Sequence, residues 1–386
     1  MKSNRGIIFL NNHLASLLLM LFFSTESISK VYKYYFNVDL EIQKFTKLIV
    51  LCYLVFSLFK AKDIKAKYLI FAVFSSFILG QLFTKSPFEF SIIVFFLKYI
   101  FPLLLLFYFK EKPLHQKHKN KLFKIFEKVI AFNTIFVFLG FIFSISFFKT
   151  YNGDRFGYNG FLVNSSTSSY IYVISLFYFL NAYKQKLFFK PIGVFILIGS
   201  LLIGTKTIYF SLFIIILYYL IVFTKKKQEI VLVSIGLIAL IIFGYLSFFQ
   251  FGIFNRIRVS DGFLTTFLSY RNYSFINDTL PYIQMNWGAV NYLFGGVNDF
   301  SLKSEMGFID LIFFFGILGA IIYIYSYLKA FLNFKIEKIP ALFLLVLISI
   351  IFIAGNFFTY SNVVIYLLII RESFCVKTEF NDLQPI

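Results

Sequence analysis

The stretch KKKQEIVLVSIGLIALIIFGYLSFF, residues 225–249, decides the fold class of this chain. Its lysines precede an apolar run, 230–249, that contains no charged side chain. A helix needs about 20 apolar residues to cross a hydrocarbon core of about 30 Å. The run lacks the strict alternation of apolar and polar side chains that a strand of a membrane barrel would show. The stretch therefore predicts a transmembrane helix.

Similar apolar runs recur along the whole chain. With 59% of its 386 residues hydrophobic and 14% charged, the sequence carries too much apolar surface for a soluble fold. We predict an all-α, polytopic membrane bundle of about twelve transmembrane helices that forms a single domain, residues 1–386. The last two spans are short and could instead form a re-entrant hairpin. The predicted spans are 6–23, 45–59, 68–83, 88–109, 125–148, 165–183, 188–203, 207–223, 230–249, 306–328, 339–354 and 356–370.

Lysine clusters fill every second loop if all twelve spans are real. The positive-inside rule makes those loops cytoplasmic and places both termini on the same side. The first run resembles a signal peptide, but no small-residue cleavage site follows Phe23, so we expect a retained first span. The lysine clusters lie at 60–67, 110–124, 184–190, 225–227 and 329–338.

The six arginines are distributed differently from the lysines. Most lie in two loops on the opposite, outer side of the predicted membrane, where topology gives no reason for positive charge. The flat fork of donors on arginine matches phosphate. The alternative is that each arginine only anchors its loop at the headgroup level. We predict that a lipid-linked pyrophosphate is bound by Arg155, Arg256, Arg258 and Arg271, with Lys206 of the GTKT turn at 204–207.

The long outer loop, residues 250–305, contains three of those arginines. Arg256 and Arg258 alternate in FNRIRVS, and an extended segment would place both on one face. After Ser260, which we take as an N-cap, apolar residues recur at helical spacing. The pattern predicts an amphipathic helix on the outer membrane surface, with Arg271 at the border of its apolar face. The apolar residues are Phe263, Leu264, Phe267, Leu268 and Phe275.

Two carboxylates lie where the tenth predicted span begins. Glu305 is at the mouth of the span, and Asp310 lies about one and a half turns inside it. Because an ionisable group within a membrane is costly, Asp310 is a functional candidate. Five residues rotate a helix by roughly 140°, so the two do not share a face. The alternatives are a charge favoured by the helix dipole at Glu305 and an interhelical hydrogen bond at Asp310.

Other kinds of site are not indicated. The outer loops contain no histidine and no Asp-x-Asp pair, so we predict neither a metal nor a cofactor. The GTKT turn lacks the spacing of a P-loop. The net charge of +19 does not indicate nucleic-acid binding, because the basic residues separate apolar runs and form no stripe on one face. Cys52 and Cys375 cannot form a disulfide framework.

Four stretches together resemble the bacterial O-antigen and capsular polysaccharide polymerases of the O-antigen ligase superfamily. They are DRFGYNGFLVNSSTSSY at 154–170, GTKT at 204–207, LFGGVNDFSLKSEMGFIDLIFFFGILG at 293–319 and AGNFFTYSN at 354–362. The resemblance implies a metal-independent, inverting glycosyltransferase that moves a glycan from undecaprenyl pyrophosphate to another lipid-linked repeat unit. By position, Arg155 and Arg271 match the outer-loop arginines of the family, and Glu305 matches its acidic residue. Lys206 departs from the arginine that the family often has.

The resemblance also implies a location and partners. It places the chain in a bacterial cytoplasmic membrane, in contact with membrane lipids and an undecaprenyl-pyrophosphate-linked oligosaccharide, and it allows a chain-length regulator protein. The product would be O-antigen of lipopolysaccharide, capsule or exopolysaccharide. We expect Glu305, or alternatively Asp310, to activate the acceptor hydroxyl, while Arg271 stabilises the departing pyrophosphate.

Two other functions stay open at this point. One is an O-antigen ligase-type glycan transferase, although the ligases use an outer-loop histidine that this chain lacks. The other is a flippase for lipid-linked oligosaccharides, which should have polar sites near the bilayer midplane.

Overall fold

The computed structural model describes residues 2–151, 153, 155–250 and 252–381, and most of them are helical. Short 3₁₀ or π turns join several helices, at Ser146–Phe148, Lys184–Phe189, Phe275–Thr279, Phe300–Leu302 and Phe357–Thr359. The described residues contain no strand. In chain order they form α1 (Lys2–Phe36), α2 (Ile42–Lys60), α3 (Ile64–Phe83), α4 (Ser91–Glu111), α5 (Gln116–Ile142), α6 (Ser165–Tyr183), α7 (Pro191–Leu201), α8 (Lys206–Val222), α9 (Lys227–Phe249), α10 (Gly252–Leu268), α11 (Arg271–Ser274), α12 (Leu280–Asn286), α13 (Ala289–Phe294), α14 (Gly307–Phe331), α15 (Lys338–Ile353) and α16 (Val363–Asn381).

Within the described residues, seven helices are long and apolar enough to cross a membrane. Three further apolar helices, α7, α8 and α15, are shorter. Each of the twelve predicted spans overlaps one helix, so the chain has the expected helical character, while the number of crossings stays a prediction. The seven are α1 over His13–Phe36, α2, α3, α4, α5, α9 over Lys227–Leu246, and α14.

The first helix differs from the predicted span 6–23, because it continues to Phe36. Two charged residues beyond the predicted end, Glu26 and Lys30, are buried. Lys30 donates to the side-chain oxygen of Asn159 at 2.6 Å, and Glu26 accepts from the backbone N–H of Val163 at 3.1 Å. Burying a charge is tolerable when it is paired in this way. Hydropathy alone could not reveal these partners, which lie in the loop after α5.

The sixth helix lies at the centre of the bundle. Every side chain of α6 from Thr167 to Asn181 is buried. It packs against α16, α8 and α15. Helix α6 begins at Ser165 and ends at Tyr183. We describe the two ends of the bundle by these two ends of α6.

Lysine-rich segments gather at the C-terminal end of α6, which we name the lysine end. There Asn181 donates to the carbonyl oxygen of Ser373 at 3.1 Å, and Lys110 donates to that of Lys329 at 2.8 Å. Loops from distant parts of the sequence therefore meet on one side of the bundle, as the alternating charges predicted. Which end faces the cytoplasm stays a prediction. The lysine end comprises residues 60–67, 110–124, 184–190 and 329–338.

Apolar side chains cover much of the outside of the bundle. On α9, the side chains of Val231, Leu232, Ile235 and Ile238 are all more than half exposed. A contiguous apolar surface of this kind marks contact with lipid or with another protein. The helical bundle therefore has the outer surface expected of a membrane protein.

Glycines bring α3, α13 and α14 into backbone contact. Gly316 interrupts α14 with a φ of 70°, and Gly295 follows α13 with a φ of 74°. A β-carbon on Gly316 would lie 2.4 Å from the backbone nitrogen of Gly295. A β-carbon on Gly80 of α3 would lie 2.3 Å from the carbonyl oxygen of Phe294. The glycines of LFGG and FFFG therefore fix the segment that leads to Glu305.

Gly316→Ala should destabilise the fold, because the new β-carbon would collide with α13. The left-handed conformation adds a cost of roughly 1–2 kcal/mol for any other residue. Thermal unfolding in detergent would measure the effect. Gly236→Ala on α9 is the matched control, since an added β-carbon there meets nothing within 4 Å and alanine stabilises a helix by roughly 0.5–1 kcal/mol over glycine. Equal melting temperatures for the two variants would contradict this account.

Candidate functional site

A polar cavity of about 460 Å³ opens at the end of the bundle opposite the lysine end. We name it the cation cavity, because three basic side chains line it: Arg155, Lys206 and Arg271. All four stretches that carry the sequence resemblance contribute to its wall. The wall also contains one carboxylate and several hydroxyl and amide groups, from Glu305, Asn164, Ser165, Ser166, Ser169, Thr205, Thr207, Asn356 and Tyr360.

Arg155 and Lys206 belong to the same wall because the loops that carry them pack backbone to backbone. The N–H of Tyr158 donates to the carbonyl oxygen of Leu202 at 2.7 Å. A β-carbon on Gly204 would lie 2.3 Å from a carbonyl oxygen of the Arg155 loop. Irregular backbone is tolerated inside an apolar bundle only where such contacts satisfy its polar groups.

The Arg155 guanidinium is half-buried between two rings. Its carbon lies 3.6 Å from the ring centre of Tyr151 and 5.2 Å from that of Phe254. Burial lowers the pKa of Arg155, Tyr151 opposes that change, and Arg271 adds to the lowering. The group stays cationic, because guanidinium does not lose its proton in proteins. Its buried Nε has no hydrogen-bond partner among the described residues, so this donor suits an anion.

Lys206 mainly holds the wall together. Its ammonium donates to the carbonyl oxygen of Thr266 and, at 2.9 Å, to the hydroxyl of Ser269. It also lies 4.3 Å from the ring centre of Phe254. These contacts tie the start of α8 to the end of α10. An ammonium has three donors, and contacts with Thr266 and Ser269 engage two of them, so Lys206 has less hydrogen-bonding capacity left for an anion than the arginines have.

Arg271 and Glu305 come from separate segments and approach each other at the cavity. A terminal nitrogen of Arg271 lies 3.9 Å from Oε2 of Glu305, and the two side chains are 19% and 50% exposed. An ion pair with this distance and exposure contributes little to stability. The Nε of Arg271 is buried without a hydrogen-bond partner in the described part of the chain. Both groups therefore remain available to a ligand.

Backbone strain concentrates around the cavity. Left-handed conformations cost non-glycine residues roughly 1–2 kcal/mol each, and such strain often accompanies functional sites. Gly355 packs so closely against the Glu305 turn that a β-carbon would lie 2.1 Å from the carbonyl oxygen of Glu305. These turns set the positions of Arg271 and Glu305. The residues with positive φ are Ser269 (55°), Tyr270 (65°), Glu305 (61°) and Asn356 (68°).

Two helix N-termini contribute to the cavity. Ser165 begins α6 and Lys206 begins α8, and residues of both first turns line the wall. The free N–H groups at a helix N-terminus carry about half a positive charge. Together with three basic side chains and one carboxylate, they give the cavity a positive field that suits a polyanion.

Two of the predicted arginines, Arg256 and Arg258, do not line the cavity. The expected extended segment is wrong, because both belong to α10, where residues two apart point to different faces. Arg256 is exposed. Arg258 donates to the side-chain oxygen of Asn255 at 3.0 Å and lies 5.3 Å from the ring centre of Phe249.

Asp310 also lies outside the cavity lining. It is buried in the first turn of α14 and accepts from the hydroxyl of Ser304 at 2.8 Å. That hydroxyl in turn accepts from the N–H of Met306 at 3.1 Å. Asp310 therefore stabilises the turn that presents Glu305, through a partner that precedes its own helix and not through the interhelical bond considered above.

The predicted amphipathic helix corresponds to the part of α10 beyond its kink and is shorter than expected, because it ends before Phe275. Helix α10 begins at Gly252, is kinked at Gly262 and ends at Leu268. Ser260 is not an N-cap, because it lies inside the first part of α10, before the kink. The remainder of the segment 250–305 is largely folded into α11, α12 and α13.

Beyond the kink, α10 turns its polar side inward. Phe263 and Leu264 are 58% and 61% exposed, whereas Thr265 and Thr266 are buried. A helix on the surface of a soluble protein would have the opposite arrangement. The exposed apolar side is suited to lipid contact.

Several wall residues were not predicted from the sequence as site residues. The serine run at 165–169 opens an apolar helix, and this unusual polarity was the available signal. Asn356 and Tyr360 lie in the break between α15 and α16, where only the motif AGNFFTYSN pointed to them.

No family model, curated protein or solved structure matches this chain. Among the described residues, no group of three or more His, Cys, Asp or Glu side chains is placed to hold a metal ion.

Arg155→Ala and Arg271→Ala should each weaken the binding of inorganic pyrophosphate. We expect about 10–100-fold, because hydrogen bonds to charged groups contribute about 1.5–3 kcal/mol. Titration calorimetry on the purified protein, with a chelator present, measures the affinity. Arg256→Ala removes the same charge outside the cavity and should leave the affinity unchanged. If all three variants bound pyrophosphate equally, the cavity would not be the anion site.

Proposed function

We propose that this protein is a polysaccharide polymerase that joins undecaprenyl-pyrophosphate-linked oligosaccharide units at the outer face of a bacterial cytoplasmic membrane. One observation carries the proposal: Arg155, Arg271 and Glu305, from three separate segments, line a single cavity at one end of an apolar bundle. A soluble anion would not require this location. A lipid-linked pyrophosphate does, because its phosphates lie at the depth of the headgroups.

The cation cavity has the chemistry that the departing group needs. Cleaving the bond between sugar and pyrophosphate leaves negative charge on the pyrophosphate. Preorganised donors that meet this charge lower the barrier most effectively in a site shielded from water. Arg155 and Arg271 supply fixed guanidinium donors, and the N-termini of α6 and α8 add their dipoles. In this proposal they stabilise the negative charge on the departing pyrophosphate, as a divalent cation does in many glycosyltransferases.

The reaction would proceed by direct displacement. A hydroxyl oxygen of the acceptor sugar attacks the anomeric carbon of the donor, while the bond from that carbon to the pyrophosphate oxygen breaks. The bonding pair leaves with the pyrophosphate, next to Arg155 and Arg271, and the proton of the hydroxyl passes to the Glu305 carboxylate. Attack from the side opposite the leaving group inverts the anomeric configuration.

Geometry favours Glu305 over Asp310 as the proton acceptor. Glu305 lines the cavity and its side chain is half exposed. Asp310 is buried and engaged by Ser304. In our proposal Asp310 positions the Glu305 turn and does not touch substrate.

The two alternative functions differ in their relation to the cavity. A ligase-type transferase would use the same donor chemistry with another acceptor, so only the product distinguishes it. A flippase needs polar groups along the bilayer midplane. The basic residues of the cation cavity are instead grouped at one end of the bundle, which favours a transferase.

Glu305→Gln should abolish long polymer, because loss of a general base typically costs about 10²–10⁴-fold in rate. Single repeat units should then accumulate outside the cell. The affinity for inorganic pyrophosphate should persist, since the arginines remain. Polymer length on gels, at equal protein level, measures the outcome. A normal chain-length distribution with Glu305→Gln would refute the catalytic assignment.

Arg271→Lys keeps the positive charge but loses the paired donors of the guanidinium, and it should give shortened polymer.

A further inference from the structure

We infer that a groove between α7, α8 and α9 holds the isoprenoid chain of the lipid whose pyrophosphate lies in the cation cavity. The inference rests on the proposed function for the identity of the headgroup. Its own evidence is a series of connected cavities on this side of the bundle.

Three cavities follow one another from the polar end toward the middle of the bundle. The cation cavity shares Arg155, Lys206 and Phe267 with a second cavity of about 640 Å³. The second cavity lies between the start of α10 and the facing ends of α8 and α9. It shares aromatic wall residues with a third cavity of about 500 Å³, the apolar groove. These shared residues are Phe156, Tyr209 and Phe243.

The lining of the apolar groove is almost entirely hydrocarbon. Side chains of α7, α8 and α9 provide leucine, isoleucine, valine and phenylalanine surfaces. The hydroxyl of Tyr209 is its one ionisable group, and this hydroxyl donates to the carbonyl oxygen of Leu201 at 3.1 Å. With that donor engaged, the groove offers a ligand little beyond apolar contact. It is therefore suited to a hydrocarbon chain and not to a sugar.

Small residues on α9 keep the groove open. Gly236 and Ala239 line it, and Gly244, about two helical turns after Gly236, lines the second cavity. A β-carbon on Gly236 or Gly244 would meet nothing within 4 Å. These glycines are therefore not required for close packing of helices, in contrast to Gly316. A glycine inside a helix costs roughly 0.5–1 kcal/mol relative to alanine, and open space for a ligand would account for that cost.

Arg155 links the headgroup site to the groove. It lines both the cation cavity and the second cavity, and its buried Nε has no hydrogen-bond partner in the part of the chain that the structure describes. A lipid with its pyrophosphate at Arg155 could extend its chain past Phe156 into the groove without crossing a polar wall. Charge at one end and hydrocarbon at the other match a prenyl pyrophosphate.

The dimensions favour a single chain over a diacyl phospholipid. Groove residues on α7 run from Val194 to Leu201, which corresponds to a length of about 10 Å along the helix axis. The groove is bounded by α7, α8 and α9, and the headgroup end carries more positive charge than one phosphodiester needs. We therefore commit to a polyprenyl chain as the occupant.

The test measures lipid binding separately from anion binding. Gly236→Phe places a ring in the open space of the groove and should weaken the binding of undecaprenyl pyrophosphate by about tenfold or more, a change of about 1.4 kcal/mol. The affinity for inorganic pyrophosphate should stay unchanged. Ile238→Phe is the matched control, because Ile238 lies on the same helix with its side chain exposed to the outside. Thermal unfolding verifies that both variants are folded.

Three outcomes would overturn the inference. They are wild-type affinity of Gly236→Phe for undecaprenyl pyrophosphate, an equal loss in Ile238→Phe, and competition by phosphatidylglycerol vesicles as strong as by the prenyl lipid. Since the assay detects no polymer, the two proposals can fail separately. A chain that binds through the groove but makes no polymer would refute only the proposed function. Polymer formation with a groove-independent affinity would refute only the groove.

Discussion

Backbone polar groups cannot be left unpaired inside an apolar bundle, and this constraint governs the architecture of the polar end. Helices satisfy it within themselves, but several of the segments that line the cation cavity are irregular. They satisfy one another instead, as in the bond from the N–H of Tyr158 to the carbonyl oxygen of Leu202. This pairing joins two segments that are far apart in sequence, the turns that carry Arg155 and Lys206. Backbone hydrogen bonds between these segments therefore hold the wall of the cavity together, and they set the positions of the side chains that line it.

The same end of the bundle contains charged groups with unpartnered donors and residues with unfavourable backbone conformations. The Nε atoms of Arg155 and Arg271, like that of Arg258 nearby on α10, are buried without hydrogen-bond partners among the described residues, and Glu305 has a left-handed backbone. At the lysine end, buried charges are paired, as with Lys119 and Glu372, which lie 3.4 Å apart. Proteins usually retain such costs only where a ligand relieves them or chemistry uses them. The contrast between the two ends supports a polyanion as the partner of the cation cavity.

The site was only partly predictable from residue types. Arg155, Arg271 and Glu305 were found from the sequence because charge on the sparsely charged side of a membrane chain is unusual. Arg256 and Arg258 satisfied the same criterion, yet α10 directs them away from the cavity. Asp310 was equally suggestive, and its bond to Ser304 shows a supporting position instead. Charge pattern identifies candidates, but it does not reveal which of them face the same volume.

The sequence by itself determined the helical membrane character, because the length and polarity of apolar runs depend on local composition alone. It also indicated the alternation of lysine-rich loops, since each cluster is contiguous. Only the tertiary structure decided that α1 extends past Phe23, that Lys206 clamps α10, and that the apolar groove continues from the cation cavity. These features depend on contacts between residues more than 40 positions apart, such as Lys30 with Asn159 and Lys206 with Ser269. Periodicity and composition are local properties, so they do not predict contacts between such distant residues.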